Sequence, residues 1–399
     1  MSDHAHAPPP ASAKNAADAC RTAAERLAPR VRDLAPVIDA ERRLPPELVQ
    51  ELVGARLFHM LLPNDLGGLE ADPVTAAQVV ETLSRADGST GWCAMIAAQT
   101  IPLAGFMASE EARHIWGGGG IVAGSARPQG GRAVWTEHPE PGYQVSGRWP
   151  FASGSSHATW FAGECFVYDG ETQRQSEHGE PVTAFMFVPR AQVRLHDTWD
   201  SLGLRGTASH DFSVDGVFVP EGHGIVTSSL EPRHPWALYR APSLWFINHG
   251  AQALGVARAA IETATEIAAT KLAWGTDRLL REQPRLQGVL AEAAVLVDSA
   301  ALYLYDVSRR LWQASLTDGD DPRLRAQARL AASHAVRAGV RAVDLMHAAV
   351  ATTAVFRKSP LERQFRDVHT AAAHVMVGPL TYEAAGRALL GLEAGMPFF

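Results

Sequence analysis

Hydrophobic positions recur at helical spacing from about residue 15 to residue 118, a stretch rich in Ala, Leu, Glu and Arg. Val49, Leu52, Val53 and Leu57 follow the ~3.6-residue period in one segment. Pro45 and Pro46 sit where that helix can begin, because proline is tolerated in a first helical turn. The run LLPNDLGGLEADP interrupts the pattern as a Gly/Pro/Asp loop. A further helix follows Asp72-Pro73 and ends near Asp87-Gly88, and Ser89 or Thr90 is expected to cap the next.

From about Gly119 to Val226 the pattern changes to β-branched and aromatic residues alternating with polar ones. YQVSGRWPFASG, HATWFAGECFVY, VTAFMFVP and HDFSVDGVFVP read as strands, and the short spacing of turn signals suits an antiparallel barrel or sandwich. From about Trp236 the helical period returns over 248–273, 284–316, 322–352 and 360–376, with a break at Asp318–Pro322. Four long helices with short links predict a bundle. The expected organisation is a tail over 1–14, a helical domain over 15–118, a β domain over 119–232 and a helical bundle over 233–399. Segregated α and β regions exclude an alternating α/β sheet. The GGGG at Gly117–Gly120 precedes a strand, so it reads as a joint and not as a phosphate cradle.

Charge and cysteine usage narrow the function. A formal net charge of −7 argues against a nucleic-acid binder held by bulk positive charge. Cys20, Cys93 and Cys165 form no ligand cluster, so neither a zinc site nor a disulfide framework is expected, and a reducing cytoplasm suits them. No apolar run approaches a membrane span, and the first twenty residues lack a signal-peptide core.

Several phrases in this order, ARLFHMLLPNDLGGLEADP, ETLSRADGSTGWCAMI, GRWPFASGSSHATWFAG and DTWDSLGLRGTASHDFSVDGVFVP, resemble the acyl-CoA dehydrogenase superfamily across roughly residues 20–395. The resemblance implies a segregated α+β fold: an N-terminal helical domain, a central antiparallel β-barrel or sandwich, and a C-terminal four-helix bundle. Two chemistries compete within it. Dehydrogenases hold FAD and remove an α-proton with a glutamate. The other branch comprises oxygenase components of two-component flavin monooxygenases, which take reduced flavin from a separate reductase and form a C4a-hydroperoxyflavin with O2.

Four features favour the second branch. Arg366-Asp367 is followed by VHTAAAHVMV, which puts His374 at about the position of the dehydrogenase base. An imidazole suits hydrogen bonding to a peroxide or a substrate hydroxyl, whereas a carboxylate suits α-proton abstraction. Glu383 is the nearby rival, about nine residues on and more than two helical turns away. DLMHAAVATTAVF lacks the Gln and Gly-Gly pair that approach the FAD pyrophosphate, which favours FMN with FAD as the alternative. KLAWG places Lys271 where the FAD enzymes carry an arginine that reaches a flavin phosphate across a subunit interface. VAGSARPQGG replaces the dehydrogenase phrase of the first β strand.

The resemblance implies catalytic roles for His374 and Ser153, and flavin contacts for Trp92, Ser125, Phe151, Ser153 and Lys271. Ser153 would meet flavin N5, although SGSS is also turn-like. Phe151 and Trp149 alternate with Ser153 and are expected to share its face, as flavin wall or as core. Trp92 reads equally as a ring-stacking residue or as core, and Ser125 as a flavin contact or a strand-end serine. Thr207 and Ser209 read as strand-turn structure, and Arg205 as a phosphate contact or a carboxylate partner. The implied partners are a flavin reductase, O2, a small aromatic or natural-product substrate and three further copies in a homotetramer, with no nucleic acid and no membrane. Two alternatives remain: an FAD-dependent acyl-CoA dehydrogenase with an unusual base, and a flavin-free binding protein on the same fold.

Overall fold

The computed structural model describes residues 11–138, 140–227, 230–317, 321–396 and 399. The N-terminal helices are α1 (Ala11–Glu41), α2 (Pro46–Gly54), α3 (Pro73–Ala86), α4 (Gly88–Thr100) and α5 (Ser109–Trp116). The first of them starts inside the expected 1–14 tail, whose residues 1–10 lie outside the described residues. Pro46 opens α2, with Pro45 as its cap residue. The cap of α4 is Asp87, not Ser89 or Thr90. Asp87 has the extended backbone of a cap residue, so its carboxylate accepts both the Thr90 N–H and the Thr90 hydroxyl, each at 2.8 Å.

The strands are β1 (Val122–Ser125), β2 (Gly131–Thr136), β3 (Gly142–Ala152), β4 (Trp160–Asp169), β5 (Thr172–Gln173), β6 (Thr183–Pro189), β7 (Arg194–His196), β8 (His210–Pro220) and β9 (Gly224–Val226). They form one nine-stranded sheet in the order β7-β8-β3-β2-β4-β6-β9, with β1 and β5 also on β4. The pairing is mostly antiparallel, but β1 and β2 both run parallel to β4. The turn at Pro128–Gly130 interrupts the chain without reversing it, so these two strands follow one another along β4. Trp149 anchors the sheet's own core by stacking on Phe212 at 5.0 Å. Gly131 and Gly163 make room for it, since a Cβ on either would stand within 2.2 and 2.6 Å of the indole.

The C-terminal helices are α6 (Ile247–Thr270), α7 (Pro284–Leu316), α8 (Pro322–Val350), α9 (Pro360–Ala372) and α10 (Pro379–Leu389). The expected break at 318–322 falls partly on residues 318–320, outside the described residues. The last predicted helix stops at Ala372, and His374 caps a short 3-10 turn before the additional helix α10. One hydrophobic core joins both helical regions. Arg258 of α6 reinforces the junction by bonding Glu81 of α3 at 2.7 Å.

Among the described helices α7 alone is long and apolar enough to cross a membrane, with mean hydropathy 1.4 and 28% of that stretch buried. This departs from the expectation that no run reaches that length. Its interrupting acids Glu292 and Asp298 bond Arg341 and Arg258 of adjacent helices, at 3.3 and 2.8 Å, as bundle positions do.

Candidate active site

Where the sheet meets the helices, a cavity of about 580 Å³ opens between α4, the ends of β1 and β3, and the segment after α9. That size falls within the ~300–1,000 Å³ of small-molecule sites. A local break in β3 shapes one wall. The β3–β8 register shifts between Trp149 and Ala152, and Phe151 takes a left-handed φ of 65°. The shift ends the two-residue alternation that had placed Trp149 and Phe151 on one face. Trp149 is buried in the sheet core, whereas Phe151 turns to the cavity and stays 58% exposed. A large apolar side chain left open on strained backbone marks a place where a ligand would cover it.

Behind this wall runs a chain of hydrogen bonds. Trp92 Nε1 donates to Ser153 Oγ at 3.0 Å. Ser153 Oγ lies 2.7 Å from Ser209 Oγ, which lies 2.6 Å from Thr207 Oγ1. Thr207 Oγ1 donates to Leu204 O at 2.8 Å, and Leu204 N–H donates to Asp367 Oδ1 at 2.6 Å. Two non-glycine residues in left-handed conformation, Leu204 (φ 51°) and Ala208 (φ 45°), fold this loop beneath Ser153. Burial and the neighbouring Asp87 push the Asp367 carboxyl up to about 7.

The opposite wall carries His374. Its ring lies 4.4 Å from that of His249 and edge-on to Trp92 at 5.7 Å. Burial, helped by the Arg329 charge, lowers His374 to about 4, so the imidazole is neutral near pH 7. Its Nδ1 accepts the Met376 N–H at 3.3 Å. The neutral ring therefore carries its proton on Nε2 and has one donor to offer a ligand.

Five predicted residues, Trp92, Ser125, Phe151, Ser153 and His374, line this one cavity. Lys271 does not. Its ammonium donates to Val350 O at 2.6 Å and to Thr353 Oγ1 at 2.8 Å, tying α6 to the end of α8. Glu383 is exposed on α10, outside the lining. Arg205 pairs with carboxylates, bonding Asp200 at 2.9 Å. Ser209, read as turn structure, lines the cavity, and Thr207 supports it. Gln99, Arg127, Trp245 and Phe246 also line it and carried no sequence signal beyond their residue types. His249 likewise had no motif around it. None of the described lining residues is Asp or Glu.

The cavity fits a flavin ring. Aromatic walls from Trp92, Trp199 and Phe246 suit a flat heteroaromatic body, and the Ser125 and Ser153 hydroxyls suit its polar edge. Fold and site together define a flavin-dependent oxidoreductase of mixed helical and sheet architecture. Two family models match the chain: the acyl-CoA dehydrogenase N-terminal domain over residues 13–117 and its C-terminal domain over 247–379. The protein belongs to the acyl-CoA dehydrogenase superfamily.

Within that superfamily it falls with the flavin-dependent monooxygenases, as an oxygenase component that uses reduced flavin. It is 28% identical to indole-3-acetate monooxygenase of Pseudomonas putida, over 92% of this chain and 93% of that one. It is 28% identical to the FADH2-dependent resorcinol hydroxylase oxygenase component of a Rhizobium species, over 98% and 99%. The crystal structure of the HsaA monooxygenase from M. tuberculosis superposes with a TM-score of 0.85 at 26% identity, over 96% of this chain and 100% of that chain.

Proposed function

We propose that this oxygenase component takes reduced FMN from a separate reductase and inserts one oxygen atom of O2 into a small aromatic substrate. The single observation that carries the reading is the lining itself. A neutral imidazole N–H and a serine hydroxyl face a mainly apolar cavity whose other polar groups include Gln99, Ser125, Arg127 and Ser209, with no carboxylate among the described lining residues. Proton abstraction α to a thioester suits a carboxylate base, which the described lining residues do not supply, so the lining disfavours the dehydrogenase alternative. When bound, the reduced flavin supplies the electrons that activate oxygen.

The chain's own groups do the rest. Trp92, Phe246 and Met376 exclude water, which would otherwise divert activated oxygen to hydrogen peroxide. His374 would donate from Nε2 toward the oxygen, and Ser153 would hold the flavin at its N5 edge. Ser125 would contact the ring edge, and Phe151 would cover its open face. The aromatic substrate class rests on the apolar wall of Trp245, Phe246 and Ile96.

A homotetramer fits the exposed apolar positions. On α7, Val295 and Leu302 are 67% and 72% exposed, and Trp274 in the loop after α6 is fully exposed. Lys271 keeps one of its three ammonium donors, so it would meet a flavin phosphate only as an interface contact between copies.

The test is turnover with a generic flavin reductase, NADH and a panel of phenols and indoles. Oxygenated product that depends on reduced flavin and O2 supports the reading. Bleaching of bound FAD by an acyl-CoA under anaerobic conditions would replace it with the dehydrogenase.

A further inference from the structure

The hydrogen-bond chain behind the cavity has a fixed direction. At one end stands Trp92 Nε1, which can only donate, and at the other Leu204 O, which can only accept. Between them stand the hydroxyls of Ser153, Ser209 and Thr207, each with one hydrogen to give. Leu204 O also accepts Trp199 Nε1–H at 2.9 Å and Thr207 N–H at 3.1 Å. Two oxygens 2.8 Å apart nonetheless need a hydrogen between them and a carbonyl has none to give, so the hydrogen of Thr207 goes to Leu204 O. Ser209 must then donate to Thr207, and Ser153 must donate to Ser209. Ser153, only 7% exposed, has thus given its hydrogen inward and has accepted the Trp92 N–H. What it presents to the cavity is a lone pair and nothing else.

This distinguishes the two redox states of a flavin. Oxidised isoalloxazine has a bare N5 that can only accept, whereas the two-electron reduced ring carries N5–H and can donate. We propose that the Trp92–Ser153–Ser209–Thr207 chain makes this cavity a redox-selective flavin site, with Thr207 and Ser209 as the positioning residues that hold Ser153 as an acceptor. The inference rests on the reading that Ser153 meets flavin N5. Oxidised flavin would set a lone pair against a lone pair in a buried place, where an unmade hydrogen bond is costly. Reduced flavin completes the chain. Such a site captures the reduced cofactor and releases the oxidised one, as an enzyme fed by a separate reductase requires.

Two variants free the Ser153 hydrogen without touching Ser153. Ser209→Ala removes its acceptor. Thr207→Val acts one step further back, at a fully buried residue outside the cavity lining, by leaving Ser209 free to turn and donate to Ser153. The experiment measures the affinities of oxidised FMN and of anaerobic, dithionite-reduced FMN for wild type, both variants and Ser153→Ala. It also measures the midpoint potential of the bound flavin.

Wild type is expected to bind reduced FMN more tightly. Each relay variant is expected to narrow the preference about tenfold, which is ~30 mV for a two-electron couple. The narrowing should come mainly from tighter binding of the oxidised form, an effect that loosened folding alone would not produce. Ser153→Ala is expected to reduce the preference by weakening the reduced complex. An unchanged preference in both relay variants, with Ser153→Ala altering it, overturns the fixed-polarity inference and leaves the flavin site standing. An unchanged preference in Ser153→Ala as well overturns both, because Ser153 would then not meet N5.

Discussion

His249 and His374 pack with ring centroids 4.4 Å apart and planes tilted by 32°, each edge-on to Trp92. The contact is between two neutral rings. Burial lowers both, and for His249 the neighbouring His374 and Arg329 lower it further. This ring packing and the Met376 N–H on Nδ1 orient the His374 plane and aim its one N–H donor.

His374→Ala removes that donor and leaves the flavin walls in place. The expected outcome is near-normal flavin affinity, a several-fold rise in hydrogen peroxide per reduced flavin consumed, and a matching loss of product. Quantifying product and peroxide against NADH checks it. Because the imidazole titrates only near 4, coupling in wild type should show no limb from this group between pH 6 and 8.

Stability should carry opposite pH signatures from two buried groups. His374 is neutral in the fold down to about 4, against 6.5 for the free imidazole, so acidification from 6.5 to 4 favours the unfolded chain, which takes up the proton. His374→Gln should flatten the fall in stability over that window by about 1.4 kcal/mol per pH unit. Asp367 is protonated in the fold up to about 7, against 3.8 when free, so it costs stability as pH rises from 3.8 to 7. Asp367→Asn should remove that cost. Urea unfolding at intervals between pH 4.5 and 7.5 separates the two slopes.

Asp367→Ala is a harsher change, because the Leu204 N–H loses its acceptor at a buried position. It should destabilise the protein by about 1–3 kcal/mol. The same loop carries Ser209, so the affinity for reduced flavin should weaken alongside. Thermal unfolding and a reduced-FMN titration read the two effects.

Arg329 is 1% exposed, stacks on Phe246 at 4.2 Å and has no hydrogen-bond partner for Nε or Nη1 among the described residues. Burial alone lowers it to about 10. Nη2 makes only long contacts, to Met376 O and Met396 Sδ at 3.5 Å each, so Arg329→Met, which keeps the stem and removes a poorly satisfied buried charge, should raise stability by roughly 1–3 kcal/mol. A lower melting temperature would contradict this.

The sequence made the architecture readable wherever a local pattern matched a local structure. The strands ending at Ala152, Asp169, Pro189 and Pro220 follow from alternation and turn residues. The residues that gather in the cavity, Trp92, Ser125, Ser153 and His374, were legible through the order of their motifs. What escaped depends on conformations that residue types do not announce. Phe151 breaks its alternation through a positive φ that a bulky residue rarely takes. Thr207 and Ser209 join the site because Leu204 and Ala208 turn left-handed. His249 reaches His374 only through helix packing. The bonds of Lys271 to Val350 O and Thr353 Oγ1 likewise depend on how the end of α8 packs on α6, which its motif does not announce.

The central claim is that this cavity binds reduced flavin and governs its reaction with oxygen. The most direct test mixes the protein anaerobically with chemically reduced FMN, adds oxygenated buffer and follows the return of oxidised-flavin absorbance by stopped flow. The account predicts reoxidation much slower than for free reduced FMN, and faster again in His374→Ala. Reoxidation at the free-flavin rate, with and without an aromatic substrate, would contradict it.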